Sequence, residues 1–420
     1  VLQYQDVIDD GWQTVGGYNE GIGWYNSNTI FSSPGGSNYG WSLSEFKPDT
    51  AWVTAKHDLD MLPADARIRF RVVIATNGQQ VVGSQGFAFD HMVFAERTRK
   101  SVLEYFTNAG DDGSRVADNV VDQYALAYPG EVIDLQYHMD YPGMDPMNTN
   151  NPDPPSTRAG NLGVGIVPYA VLDGGVESGH RYDFTGEEEV PDEETLKLLS
   201  LEIPRFRIDL TVDWQKEGLE ATTTVTCNTE RHPSNVQLYV AVIESLVTSY
   251  TGQNQDTAFR NVVLDMLPTP AGKLLGGDWS RGESDTRTYT WTFPGYLEDV
   301  EDLGVVAFVQ DRSSGRILQT AYRFLTPVTG TSSEEKDYGT LKVYPNPAYR
   351  TLHIDLGKPA AQEVILEIMD ISGKVVQLET FSPGSRYRRV DVSSMNPGLY
   401  FIHRVVPATG GEYARFIRIR

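Results

Sequence analysis

Cysteine is almost absent: the 420 residues contain one, Cys227. No disulfide can form within this chain, and a four-thiolate zinc site is excluded. Cys227 closes the β-branched run Ala221-Thr-Thr-Thr-Val-Thr-Cys, which predicts a small buried strand residue rather than a reactive thiol. Long apolar runs are missing too, and none approaches the roughly 18 residues that a membrane-spanning helix needs. Basic residues are in short supply, with 35 Lys and Arg against 57 Asp and Glu, a formal net charge of −22. That balance argues against sequence-blind nucleic-acid binding, which needs Lys and Arg in excess to meet phosphates.

Familiar catalytic signatures are lacking as well. The seven histidines (57, 91, 138, 180, 232, 353 and 403) form no His-Glu-x-x-His and no pair at i,i+4. There is no Gly-x-Ser-x-Gly elbow and no Gly-rich phosphate cradle. His138, in an apolar strand, reads as a core or surface-facing residue rather than a ligand or base. Acidic clusters at Asp9-Asp10, Asp111-Asp112, Glu187–Glu189 with Asp192–Glu194, and Glu298–Asp302 supply carboxylates suited to calcium. None has regular Asp-x-Asp-x-Asp-Gly spacing, so solvated loops are the preferred reading and no cofactor is expected, with a structural calcium left open. No pair of carboxylates recommends itself for glycoside hydrolysis.

What is present is the material of many small β-modules. Hydrophobic residues make up 40% and charged residues 22%, enough for packed cores. The length predicts about three or four domains. The 39 Gly and 23 Pro suit short strands joined by turns. Charge is uneven: residues 339–420 carry 11 basic against 7 acidic side chains, a net +4, and residues 1–338 carry 24 against 50, a net −26. A basic tail behind an acidic body implies separate modules with separate partners.

In residues 1–97, Trp12, Trp24, Trp41 and Trp52 punctuate segments broken by turns such as Ser33-Pro-Gly-Gly-Ser-Asn. Ile68, Phe70 and Val72 alternate with Arg67, Arg69 and Arg71, the pattern of a half-buried strand. A second strand is expected over Gly86–Phe94. The pair resembles the closing strands of MAM-like jelly-roll modules, whose front would lie upstream of Val1. Two readings of that start stand: a leader has been removed, or Val1 begins the C-terminal part of something longer.

Residues 98–200 change character. A strand at Val102–Thr107 is followed by a polar turn, Asn108–Ser114, and then Val116, Val120, Tyr124 and Ala127 fall at helical spacing. A strand at Val132–His138, a long loop from Tyr141 to Thr157, a short helical stretch at Arg158–Leu162 and a strand after Val167-Pro168 complete the order of a thioredoxin-like fold. Phe106-Thr107, Tyr137-His138 and Val167-Pro168 resemble an outer-membrane-associated lipoprotein family of Bacteroidota that joins thioredoxin-like and Ig-like domains. That family's Cys-x-x-Cys is absent from Asn108–Ser114, so thiol–disulfide exchange is excluded for this domain. The resemblance makes Val167, Pro168 and Tyr169 a candidate peptide groove acting by strand addition, with retention as a scaffold the preferred reading. It continues through residues 201–327, where Arg205–Val212, Ala221–Cys227, Leu238–Glu244, Val305–Asp311 and Ile317–Tyr322 read as strands of an Ig-like sandwich.

After a linker at residues 328–338, residues 339–420 resemble the type A C-terminal sorting domain of the type IX secretion system. The resemblance rests on Tyr344-Pro345-Asn346-Pro347, on the hairpin with Asp370, Gly373 and Lys374, and on Pro397-Gly398-Leu-Tyr400. It implies passage through the periplasm and the outer membrane to the cell surface or medium. The implied partners are the type IX translocon, its outer-membrane carrier and a surface sortase, which usually removes the domain. The tail's basic excess is open to two readings, engagement of an acidic carrier or a solvated face.

The fold class expected is therefore mainly β and multidomain: a jelly-roll-like sandwich, a thioredoxin-like α/β domain, an Ig-like sandwich and a β-sandwich sorting domain. The function expected is that of a non-catalytic secreted or surface protein acting in binding, adhesion or surface structure, with a surface glycan, a peptide or itself as partner. Two alternatives stay open. One is the accessory half of a longer secreted protease or glycan hydrolase, whose catalytic domain lies upstream of Val1. The other is a peptide-binding carrier.

Overall fold

The computed structural model describes the chain except residues 7–10, 43–51, 63–66, 77–87, 129, 187–191, 326–340, 345–347, 349, 357–359, 361–363, 371–373, 383, 406–412 and 419–420. It divides into two compact units, one of Val1–Leu59 with Ala64–Pro327 and one of Asp60–Pro63 with Val328–Arg420.

The first unit opens with a three-stranded antiparallel sheet in which β1 (Leu2–Asp6) lies between β2 (Gln13–Thr14) and β3 (Ile68–Val72). In β3 the arginines are exposed and the apolar residues half-buried, as the alternation requires. Tyr25 is fully buried; its hydroxyl donates to the Leu2 carbonyl and accepts from the Leu2 N–H, both at 3.0 Å. The strand expected over Gly86–Phe94 does not form across its described residues, 88–94, which are exposed. Asp90 takes the N–H of His91 onto its own carboxylate at 2.7 Å, and His91 turns to a φ of 53°. Such a local side-chain bond competes with a ladder and ends the extended run.

β4 (Ser101–Thr107), α1 (Asp112–Ala127), β5 (Val132–His138), α2 (Pro146–Asn150), α3 (Asp153–Leu162), β6 (Tyr169–Leu172), β7 (Arg181–Asp183) and α4 (Glu193–Ser200) follow. The strands lie in the order β5-β4-β6-β7, with β5 parallel to β4 and β6 antiparallel, which is thioredoxin-like topology. Every residue of β4 and β5 is buried. In α1 the inward face is Ala117, Val121 and Tyr124 rather than one that includes Val116, which is exposed. The Asp111 cap fixes the helix start, and Ser114 and Asp118 take inward positions beside the apolar ones. The expected Tyr141–Thr157 loop instead contains α2 and the start of α3. Pro154 and Pro155 sit in the first turn of α3, where a missing N–H leaves no helix bond unmade.

The sheet does not stop at β5. β8 (Phe206–Trp214), β9 (Gly218–Cys227), β10 (Arg231–His232), β11 (Val236–Val247), β12 (Phe259–Leu267), β13 (Lys273–Gly276), β14 (Trp279–Ser280), β15 (Ser284–Thr292), β16 (Leu303–Asp311) and β17 (Ile317–Phe324) complete the unit. β12 pairs in parallel with β5 through Val262 and Gln136, which makes one path β17-β16-β11-β12-β5-β4-β6-β7. β15-β9-β8 forms a separate three-stranded sheet. The alternating residues Phe206, Ile208 and Leu210 of β8 share one core with Leu238, Val240 and Val242 of β11 and Val305 of β16.

A second core holds Phe106, Tyr137 and Val167 together with Tyr239, Ile243 and Phe308, so the thioredoxin-like and Ig-like strands share it. At its centre Arg158 of α3 is fully buried and grips Glu104 of β4 with two bonds, Nε to Oε1 at 2.7 Å and a terminal nitrogen to Oε2 at 2.6 Å. Tyr137 Oη donates to the same Oε1 at 3.2 Å, and the guanidinium lies 4.5 Å from the Tyr239 ring centre and 5.5 Å from that of Phe308.

The second unit contains β18 (Lys342–Tyr344), β19 (Thr351–Asp355), β20 (Val364–Asp370), β21 (Val375–Phe381), β22 (Tyr387–Asp391), β23 (Gly398–Val405) and β24 (Tyr413–Arg418). They make two antiparallel sheets, β18-β19-β22 and β21-β20-β23-β24, over a core of Leu352, Ile354, Leu366, Ile368, Ile402 and Phe416.

Removing one member of a buried ion pair strands the other charge, at a cost of about 3–5 kcal/mol. Glu104→Leu and Arg158→Met are each expected to lower the stability of the first unit by about that amount, and the double variant by much less. Urea unfolding of the four proteins measures the cycle; additive losses would show that the pair is not coupled.

Candidate functional site

In a thioredoxin-like fold the link from the first strand to the first helix carries the chemistry. Here β4 leads into Asn108-Ala-Gly-Asp111, and the polar groups of the link are engaged. The Asn108 amide donates to the carbonyls of Met139 and Gly143 at 2.7 and 2.8 Å, and its oxygen accepts from Gly110 N–H. Asp111 caps α1 by accepting from Ser114 N–H at 2.6 Å. Ser114, fully buried, accepts the Asn108 N–H on its hydroxyl at 3.3 Å.

Asp145 organises the other side. Its carboxylate accepts from the N–H groups of Ala109, Met147 and Asn148 and lies 2.9 Å from His138 Nδ1. Burial would raise its pKa, but His138 and the backbone donors outweigh burial and hold it below the usual aspartate value. His138 is buried, with its ring edge-on to Phe259. Asp118 accepts from Tyr105 Oη and Thr107 Oγ1, both at 2.7 Å, and burial pushes its pKa up to about 6 against those bonds.

The connection between β11 and β12 closes the corner from above. Asn254, itself buried, donates its amide to the Asp111 carbonyl at 3.0 Å, and its own carbonyl accepts from Arg115 at 3.2 Å. A Cβ on Gly252 would lie 2.3 Å from the Ala109 carbonyl, so only glycine permits that approach.

Of the candidate groove, Val167 and Pro168 are buried and Tyr169 is half-buried. The Val167–Pro168 bond is cis, and a Cβ on Gly113 would lie 3.6 Å from Pro168 Cδ, which places the ring against the first turn of α1. β6 has ladder partners on both sides, and the Pro168 carbonyl accepts the Phe184 N–H at 3.3 Å. Cys227 lies far along the chain from this corner, buried in β9, its thiol 3.4 Å from the Thr229 carbonyl.

A second polar cluster lies behind the corner, where β5 meets β12, and no sequence pattern announced it. Gln136 donates its amide to both Asp122 and Asp134, at 2.8 and 3.0 Å, and Asn261 donates to Asp134 at 2.5 Å. Burial and the neighbouring Asp134 push the Asp122 pKa up to about 8. Asp134, fully enclosed, is raised chiefly by burial.

Several acids of the expected calcium clusters serve as caps. Asp111 and Asp192 start α1 and α4, and Glu298 accepts from Thr248 and Ser249 N–H groups. Asp9-Asp10 and Glu187–Glu189 lie outside the described residues. Among the described residues no three His, Cys, Asp or Glu side chains converge on a metal position.

In the second unit, Asp370 ends β20 and its carboxylate accepts the Lys374 N–H at 3.1 Å. The Asn396-Pro397-Gly398-Leu-Tyr400 segment closes on itself: Tyr400 Oη donates to the Asn396 carbonyl at 2.8 Å, while its ring stacks on Phe416 at 5.4 Å. Tyr344 lies in β18; Pro345, Asn346, Pro347 and Gly373 fall outside the described residues. Arg386 makes two bonds to Asp355 at 2.8 and 3.0 Å, Arg388 pairs with Glu379, and Arg418 reaches the Val392 and Ser393 carbonyls. These arginines are tied within the fold, a role their spacing in sequence did not reveal.

Residues 342–408 match the secretion system C-terminal sorting domain family. The chain thus carries a type IX sorting domain, the address for export to the cell surface or the extracellular space. No curated protein matches the chain in sequence. Among solved structures it is similar to HBP35 of Porphyromonas gingivalis, at 16% identity over 76% of this chain and 98% of that one, with a TM-score of 0.44. It is also similar to a domain of the outer membrane lipoprotein Omp28 from Porphyromonas gingivalis, at 12% identity over 30% of this chain and 91% of that one, TM-score 0.22. An immunoglobulin-like β-sandwich protein from Bacteroides vulgatus is similar at 16% identity over 21% and 90% of the two chains, TM-score 0.17.

The raised Asp122 has a direct consequence for stability. From its ordinary pKa of 3.8 up to about 8, the folded chain holds a proton on Asp122 that the unfolded chain has released. Stability therefore falls as pH rises through that window, and it is highest below it as far as this group is concerned. Asp122→Asn, which keeps an acceptor for Gln136, is expected to flatten the decline near its upper end. Urea midpoints of both proteins across the window test this; parallel profiles would count against a proton on Asp122.

Proposed function

We propose that this chain is a non-catalytic exported protein whose residues 1–327 act in binding, adhesion or surface structure, while the C-terminal domain directs it through type IX secretion. The observation that carries the reading is the closed corner at Asn108–Ser114. Thiol–disulfide exchange needs an accessible thiolate and a resolving thiol. In their place stand an amide, a capping carboxylate and a hydroxyl, each already hydrogen-bonded, with Asn254 laid over them. A nucleophile needs a free lone pair at an open surface, and these groups spend theirs on holding the fold together.

The carrier alternative places a peptide along Val167, Pro168 and Tyr169. It has less support, because β7 already occupies the ladder beside β6. The hydrolase alternative places catalysis in a domain upstream of Val1, and a full reading frame with a zinc or serine-hydrolase motif there would favour it.

Two measurements test the proposal. The purified chain is expected not to accelerate the reduction of insulin disulfides by dithiothreitol; acceleration would overturn the non-redox reading. In the native host, removal of residues 339–420 is expected to hold the protein inside the cell, and the mature surface form is expected to lack about those 80 residues by intact mass. Export without the domain would overturn its role as the address.

A further inference from the structure

The sheet β15-β9-β8 has two edges of different kinds. β8 carries Arg207, Asp209 and Asp213 on its outward face. β15 is the other edge, nine residues long, and among the described residues it has no ladder partner on its far side. Its sequence, Ser-Asp-Thr-Arg-Thr-Tyr-Thr-Trp-Thr, has one acid, one base, no proline and no lysine. It pairs with β9 from Ser284 to Thr292 without a bulge. Proteins ordinarily blunt such an edge with charge, proline or a bulge, because its free N–H and C=O groups template another strand.

The hydrogen bonds fix which groups are free. Glu283 gives its carbonyl to Cys227 N–H, and Phe293 gives its N–H to the Glu217 carbonyl, so the odd-numbered residues face β9. In an antiparallel ladder the alternate residues face the other way. The outward backbone groups are those of Ser284, Thr286, Thr288, Thr290 and Thr292, all exposed.

The geometry points to a second copy of this chain as the occupant, paired antiparallel through β15 with Thr288 on the two-fold axis. Two independent features select that register. The first is the hydroxyl face: β9 and β15 already join Thr222 to Thr288, Thr224 to Thr286 and Thr226 to Ser284, each at 2.9 Å. About Thr288, Thr286 meets Thr290 of the second copy and Ser284 meets its Thr292, so hydroxyl again faces hydroxyl at every outward position. The second is the opposite face, where Arg287 Nε and Tyr289 Oη are enclosed without a hydrogen-bond partner. The same register sets Arg287 directly across from Tyr289 of the second copy, in a non-hydrogen-bonded pair where side chains approach most closely, and symmetry repeats the match. A strand that is neutral overall also brings no charge of its own to an association that the net −22 opposes.

Sedimentation of the full chain across a concentration series tests this directly. A reversible dimer is expected, weaker at low ionic strength, where the net charge repels, and strengthened by salt. Thr288→Pro removes an outward N–H while sparing the backbone ladder to β9, Thr288→Val is its control for the lost Thr222 hydroxyl contact, and Thr290→Lys places a charge on the edge. Thr288→Pro and Thr290→Lys are each expected to raise the dissociation constant at least ~10-fold with an unchanged circular dichroism spectrum and melting temperature of the monomer. Tyr289→Phe is expected to weaken the dimer as well, because it removes the acceptor for Arg287. A monomer at every concentration, or a dimer indifferent to Thr288→Pro and Thr290→Lys, would overturn the proposal. A dimer sensitive to those two but not to Tyr289→Phe would overturn the register.

Discussion

A guanidinium enclosed on every side is the constraint around which the first unit is arranged. Moving Arg158 and Glu104 out of water costs several kcal/mol for each ion, and that cost is offset only if geometry is tight and the remaining polar atoms are engaged. Two parallel bonds and the Tyr137 hydroxyl engage the carboxylate, and the faces of Tyr239 and Phe308 cover the guanidinium, whose second terminal nitrogen is buried without a hydrogen bond among the described residues. Burial works against the charge on Arg158, and Glu104 more than restores it, so the guanidinium stays protonated. The five residues come from α3, β4, β5, β11 and β16. The ladder between β5 and β12 contributes one paired position, too little to fix the two halves of the sheet by itself. The rings of Tyr239 and Phe308 add to the alignment that the ladder gives, because a shift of either half would take their faces off the guanidinium and uncover the charge pair.

That alignment determines the fate of the thioredoxin-like corner. With β12 held beside β5, the connection from β11 arrives over the first turn of α1, and Asn254 becomes a fixed part of the corner. The amide, hydroxyl and carboxylate groups left there are satisfied by backbone donors and acceptors, as buried polar groups must be. Asp145 illustrates the change of purpose: a carboxylate beside a histidine resembles half of a catalytic dyad, yet its other bonds cap α2 and hold Ala109. The corner is built as a joint between the thioredoxin-like and Ig-like strands.

How much of this was legible depends on the range of the interaction. Period-two alternation placed Ile68–Val72, and a β-branched run marked Ala221–Cys227 in β9, because each strand's character is written in its own residues. Composition and motif order identified the sorting domain, where a segment such as Asn396–Tyr400 closes on itself locally. The helix α1 was foreseen but its face was rotated: valines at 116 and 120 fit an apolar stripe, while a buried Ser114 and Asp118 are invisible to hydropathy. Over residues 88–94 the expected strand failed for a local reason, the Asp90–His91 turn. Arg158 and the Asp122–Gln136–Asp134 cluster were out of reach, because Glu104, Asp122 and Asn261 meet their partners only when the sheet assembles. Charged residues are read as surface by default, and that default fails where a fold uses one as its pin.

The sorting domain shows the same division between local and long-range electrostatics. Its pairs Arg386–Asp355 and Arg388–Glu379 remove one charge of each sign, so they leave the net +4 of residues 339–420 unchanged while tying the start of β22 to β19 and β22 to β21. Arg418 adds bonds to the Val392 and Ser393 carbonyls. The contrast with the −26 of the preceding residues therefore survives folding. At physiological salt, exposed charges are screened beyond about 8 Å. A basic excess of this size therefore acts on a partner at contact and steers little from afar.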